Sequence, residues 1–164
     1  MQISKAMTDL MSAQVGNELG ASNQYIQIAS FFDGESLSKL AKFFYDQAEE
    51  EREHAMKFVH YLMEVGAPLS IDAIPATKID IGTAEKAFEM SLAWEKEVTG
   101  QINKMMDLAI EEKDYASQAF LQWFVTEQVE EEATASQILA QLRAVGEQGG
   151  GIWYLDGKLG KRGS

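Results

Sequence analysis

Apolar residues recur at alternating steps of three and four along four stretches of the chain, the pattern of helices that each bury one face. The first stripe reads Met7, Met11, Val15, Glu18, Ser22, Tyr25, Ala29, Phe32, and the second Leu37, Leu40, Phe44, Gln47, Glu51, His54, Phe58, Tyr61, Val65. The third reads Ala84, Phe88, Ser91, Glu95, Val98, Ile102, Met105, Ala109, and the fourth Ser117, Leu121, Phe124, Gln128, Glu131, Ala135, Ile138, Leu142, Val145. These stripes predict helices over about 4–32, 36–65, 83–113 and 115–145. Asp33 and Gly34 close the first, Ser36 serves as N-cap of the second, and Gly146 ends the fourth. Gly149, Gly150 and Gly151 form a hinge before a short fifth helix over 152–159, and residues 160–164 read as a frayed tail.

Both prolines, Pro68 and Pro75, fall in the connection 66–82, so the helices on either side run uninterrupted. The first-to-second and third-to-fourth connections are only a few residues long, which makes each pair an antiparallel hairpin. The middle connection, 66–82, is long enough to cross a bundle lengthwise. Two hairpins joined by one long crossover give an all-α, ferritin-like variant of the four-helix bundle, one domain over 1–164. An up-down bundle with a loose middle loop is the alternative.

A glutamate interrupts the middle of every seam. Burying an ionised carboxylate without a partner costs several kcal/mol, and no lysine or arginine lies on any seam. Strongly raised pKa values or bound cations are the remaining solutions, and two divalent ions would balance the charge of Glu18, Glu51, Glu95 and Glu131. Glu51 and His54 sit one turn apart on one face, as two ligands of one ion require. Carboxylate oxygens with one imidazole and no sulfur suit iron or manganese better than copper, and zinc would also bind.

Composition narrows the chemistry further. The 164 residues carry a net charge of −12, which disfavours nucleic acid and anionic membranes and favours cationic partners. The absence of cysteine excludes disulfides, thiolate metal sites and iron–sulfur clusters. No apolar run approaches the ~18 residues of a membrane span. The start of the chain lacks a signal-peptide core, so the expected location is cytoplasmic.

The stretches Asn17-Glu18-Leu19, Glu49 to Met56 and Phe120 to Glu132, with the closing Ile152-Trp153-Tyr154-Leu155-Asp156, resemble the prokaryotic non-haem ferritins over nearly the whole chain. The resemblance implies a hollow shell of 24 subunits that oxidises Fe(II) with dioxygen at a diiron centre in each bundle and stores the Fe(III) as mineral. It implies that Glu18, Glu51 and His54 hold the first iron and that Glu51, Glu95 and Glu131 hold the second, with Glu51 bridging. Gln128 and Tyr25 match the polar neighbours of that centre, and Glu50, Glu127 and Glu130, with Glu131, match a third iron position. Arg52 stands where bacterioferritins carry their haem-ligating methionine, and Thr134 replaces their second histidine, so haem is not expected. The acidic pore positions of animal-type ferritins correspond to Gln118 and Leu121.

Other residues fit the same frame. His60 lies off its seam and is expected in solvent, while Phe31, Phe43, Met56, Trp123 and Trp153 lie off the seams and argue for an oligomer. Gly16 and Gly20 interrupt the first helix without an evident reason. A cation-binding helical shell with a vestigial centre, or a diiron oxidase acting on an organic substrate, are the competing readings.

Overall fold

The computed structural model describes residues 3–75, 80–146 and 150–159. Among the described residues five helices follow one another: α1 (Lys5–Gly34), α2 (Ser38–Glu64), α3 (Ala84–Glu111), α4 (Tyr115–Val145) and α5 (Gly151–Leu159). α1 lies along α2, α3 along α4, and α1 also meets α3, which closes an all-α four-helix bundle of the ferritin type. Gly149, the tail 160–164 and residues 76–79 of the crossover lie outside the described residues.

The helix starts follow local chemistry. The Ser4 side chain accepts a hydrogen bond from the Met7 amide (3.0 Å), Thr83 from Lys86 (3.1 Å) and Asp114 from Ser117 (3.0 Å), each satisfying an amide that has no partner inside its helix. α2 differs. Ser36 is not its N-cap: it takes φ 61° in the turn after α1, and Leu37 occupies the cap position with no side-chain bond. The missing acceptor comes from α5, where Asp156 Oδ1 accepts from the amides of Lys39 and Leu40, both at 2.9 Å. α5 thus docks on the start of α2, and Ile152 and Leu155 bury its inner face.

Two apolar clusters fill the bundle ends. Toward α5, Phe32 and Phe44 stack 5.5 Å apart with Phe88 against them, among Ile28, Leu40, Ile138 and Leu142. At the other end Met7, Met11, Phe58, Ile102, Met105 and Phe124 pack together. The seam residues are buried apart from half-buried Ser22, Gln47 and Val65 and the exposed last residue, Val145.

Several off-seam positions are now placed. His60, Met56, Trp123 and Trp153 are exposed, whereas Phe31 and Phe43 are half-buried against the aromatic cluster. Leu121 is wholly buried inside the bundle, so it lines no pore, and Gln118 is half-buried with its amide donating to the Ala109 carbonyl (3.0 Å). Gly20 faces Ile74 of the crossover, where a Cβ would make ordinary contact at 3.5 Å, and among the described residues nothing beyond the adjoining helical backbone stands within 4 Å of a Cβ at Gly16.

Candidate metal centre

Between the two apolar clusters, each long helix contributes one glutamate. Glu18 of α1, Glu51 of α2, Glu95 of α3 and Glu131 of α4 are only 0%, 2%, 2% and 8% exposed, and among the described residues no lysine or arginine is buried with them. The helical period that buries Phe44 and Phe88 also brings in Glu51 and Glu95, two turns further along the same seams. His54 follows Glu51 by one turn, with Nδ1 3.3 Å from Glu51 Oε2. The donor atoms of Glu18, Glu51 and His54 all lie within 4.8 Å of one another, close enough to share one cation.

Neutral donors steady the carboxylates. Gln14 Nε2 donates to Glu18 Oε1 (2.9 Å), and Gln47 Nε2 to Glu131 Oε2 (3.1 Å). Glu95 is held on both oxygens: the Tyr25 hydroxyl donates to Oε1, and Gln128 Nε2 to Oε2 (3.2 Å). Glu18 Oε2 is buried and accepts from no N–H or hydroxyl donor among the described residues, and the neighbouring Glu51 can bond to Glu18 only by keeping a proton between the two carboxyls. Buried acceptors are rarely left in that condition, and a cation would satisfy this one.

The electrostatics agree. Burial raises Glu18 and Glu51 well above the ordinary carboxylate range; the Glu51 charge adds to the shift of Glu18, and that of Glu95 to the shift of Glu51. Glu95 is also raised by burial, and burial with the Glu95 charge pushes Glu131 up to about 8. The same two causes raise the Tyr25 phenol. Without cations, the layer keeps protons that carboxyl groups in water would release.

A second group lies outside the first. Donor atoms of Glu50, His54 and Glu127 also fall within 4.8 Å of one another, so His54 belongs to both groups. Glu50 and Glu127 are half-buried, and burial is the chief cause that raises Glu50. Glu130, expected with them, is exposed and belongs to neither group. At 100° per residue, Glu127 stands about 80° from the middle of the α4 seam and Glu130 about 140°, nearer the solvent side. Trp123 sets its ring edge-on to His54 (5.4 Å between centroids), and Lys57 Nζ lies 4.3 Å from the centre of that ring.

The sequence left Gln14, Thr99, Trp123 and Lys57 without a role in this region. Gln14 had a usable signal, since it stands one turn before Glu18 on α1. Thr99 and Lys57 had none, because their partners lie on other helices.

Known proteins share this fold. Residues 8–145 match the family model of the ferritin-like domain. The chain is 35% identical over 160 residues to the bacterial non-heme ferritin of Staphylococcus aureus strain MRSA252, covering 98% of this chain and 96% of that protein. The bacterial non-heme ferritin of Staphylococcus saprophyticus is 34% identical over the same shares. Among solved structures, an open pore ferritin from the hyperthermophilic archaeon Archaeoglobus fulgidus superposes with a TM-score of 0.92 at 34% identity, covering 96% of both chains. With residues 8–145 matched by the family model and relatives covering nearly the full length, the chain belongs to the ferritin family.

Proposed function

We propose that the protein is an iron-storage ferritin whose glutamate layer is a ferroxidase centre, with Fe(II) and dioxygen as substrates. Glu18, Glu51 and His54 take one Fe(II); Glu51, Glu95 and Glu131 take the other, with Glu51 between them. Each Fe(II) yields one electron, and dioxygen takes the pair together with two protons. Tyr25 and Gln128 hold the Glu95 carboxylate in place for the second ion. Glu50, His54 and Glu127 form a third position, through which iron leaves the centre, with Glu130 at its solvent edge. The Fe(III) is stored as mineral in a cytoplasmic shell of 24 copies, whose contacts cover exposed apolar side chains such as Ile26, Trp153 and Tyr154.

One observation carries this reading: four buried carboxylates meet in a layer where, among the described residues, no lysine or arginine is buried and Glu18 Oε2 accepts from no N–H or hydroxyl donor. The test is stopped-flow oxidation of Fe(II) at two ions per subunit, with dioxygen consumption recorded in parallel. Glu51→Ala should slow the fast phase by about 100-fold while particle size and helicity stay unchanged. Fast kinetics near the native rate in that variant would overturn the assignment. A native protein that binds Fe(II) but consumes no dioxygen would be a cation-binding shell instead.

A further inference from the structure

We propose that Glu132 and Thr99, neither of them an iron ligand, are positioning residues that fix the amide of Gln128 and, through it, the carboxylate of Glu95. The inference rests on the function proposed above.

Gln128 Nε2 is surrounded by acceptors. It lies 3.2 Å from Glu95 Oε2, 3.2 Å from the Glu95 carbonyl and 3.5 Å from Thr99 Oγ1. An amide turned the other way would set its carbonyl oxygen against three oxygens, so the side chain has one orientation here. Thr99, one turn beyond Glu95 on α3, decides how firmly that orientation is held. Its hydroxyl has one proton and two neighbours that would accept it: Glu132 Oε1 at 2.6 Å and the Glu95 carbonyl at 3.0 Å.

The carboxylate takes the proton, because a hydrogen bond to a charged acceptor at the shorter distance is the stronger. Placing the proton on the other side would leave two oxygens 2.6 Å apart with nothing between them. With its proton committed to Glu132, Thr99 presents a lone pair to Gln128. The bonds then run in one direction: Gln128 donates to Thr99 and to Glu95, and Thr99 donates to Glu132. Glu132 and Thr99 are both half-buried, so this chain links the buried centre to the rim of the bundle on the α3–α4 side. Without Glu132 the Thr99 proton turns back to the Glu95 carbonyl and competes there with Gln128. Glu95 then loses the fixed donor that aims its carboxylate at the second ion.

The experiment uses the intact shell and Co(II) under anaerobic conditions, with visible absorption following each ion in turn. Thr99→Val and Glu132→Ala should weaken the second Co(II) by about tenfold and leave the first unchanged, since Glu18, Glu51 and His54 are untouched. Thr99→Ser should restore native binding, and Glu132→Gln, which keeps an acceptor, should restore most of it. Glu97→Ala removes the same charge from an exposed position on α3, two residues before Thr99, and should change neither ion. With Fe(II) and dioxygen, Thr99→Val should show a raised KM for Fe(II) with a smaller change in kcat. Equal behaviour of Thr99→Ser and Thr99→Val, or equal loss of both Co(II) ions, would overturn the positioning role. A native protein that takes up two Co(II) in these proportions but consumes no dioxygen would overturn the ferroxidase reading and leave the positioning role standing.

Discussion

Phe44 and Phe88 pack 4.9 Å apart at the α5 end of the bundle, and two turns further along the same two helices stand Glu51 and Glu95. Both pairs occupy seam positions and both are buried, yet they act oppositely on stability. The aromatic pair gains from leaving water and from ring contacts. Both carboxylates lost their hydration on burial; Glu95 found the neutral donors Tyr25 and Gln128 in exchange, and Glu51 the ring of His54 at 3.3 Å. The apolar ends therefore hold the helices rigidly enough to force together a middle layer that would not assemble by itself. The layer is left unsatisfied by its own protein, and the surrounding core supplies the stability that this arrangement costs.

The contrast is easiest to break at the aromatic end. Phe44→Ala should lower unfolding stability by about 3–5 kcal/mol, read as a drop in the melting temperature of the metal-free protein. The fraction that remains folded should still oxidise Fe(II), because Phe44 offers no ligand atom. A variant that keeps its melting temperature would show that the stability resides elsewhere.

An effect of similar order, roughly a few kcal/mol, is expected from pH. Glu131 titrates at about 8 in the folded chain against 4.5 for the free side chain. Between those values the folded state holds a proton that the unfolded chain releases, so stability falls as pH rises. The Glu131 contribution is complete below 4.5, is lost through about 8 and is level above that. Melting temperatures of the metal-free protein should therefore decline from about pH 5 to about pH 8.5. Loading with Zn(II) displaces these protons and should flatten the decline. A metal-free protein with a level profile would show that the carboxylates are not protonated as described.

At the α5 end, Asp156→Ala should cost about 1 kcal/mol and release α5 from the start of α2, detected as faster hydrogen exchange at the Lys39 and Leu40 amides. Unchanged exchange at those amides would contradict the capping role. The smallest effect is expected where nothing packs: Gly16→Ala, in open space on α1, should raise stability by about 0.5–1 kcal/mol. A loss instead would show that another copy of the chain approaches there.

Much of this was legible in the residues alone. The alternation of three and four steps placed Glu18, Glu51, His54, Glu95 and Glu131 on inward faces, because the direction of a side chain around a helix depends only on its position in the sequence. The lack of a seam lysine or arginine foretold a layer that lacks counter-charge for the same reason. What the stripes could not say was which side chains meet, since that depends on the distance and rotation of one helix against another. Glu130 is exposed beside the Glu50, His54 and Glu127 group rather than gathered into it, and Leu121 is wholly inside the core. The cap of α2 comes from Asp156, more than a hundred residues away, instead of from the adjacent Ser36. Thr99 bonds to Glu132 across two helices that carry no mark of the pairing. Periodicity is local, so the sequence determined the faces; contacts between faces are long-range, so the packing of the bundle decided the site.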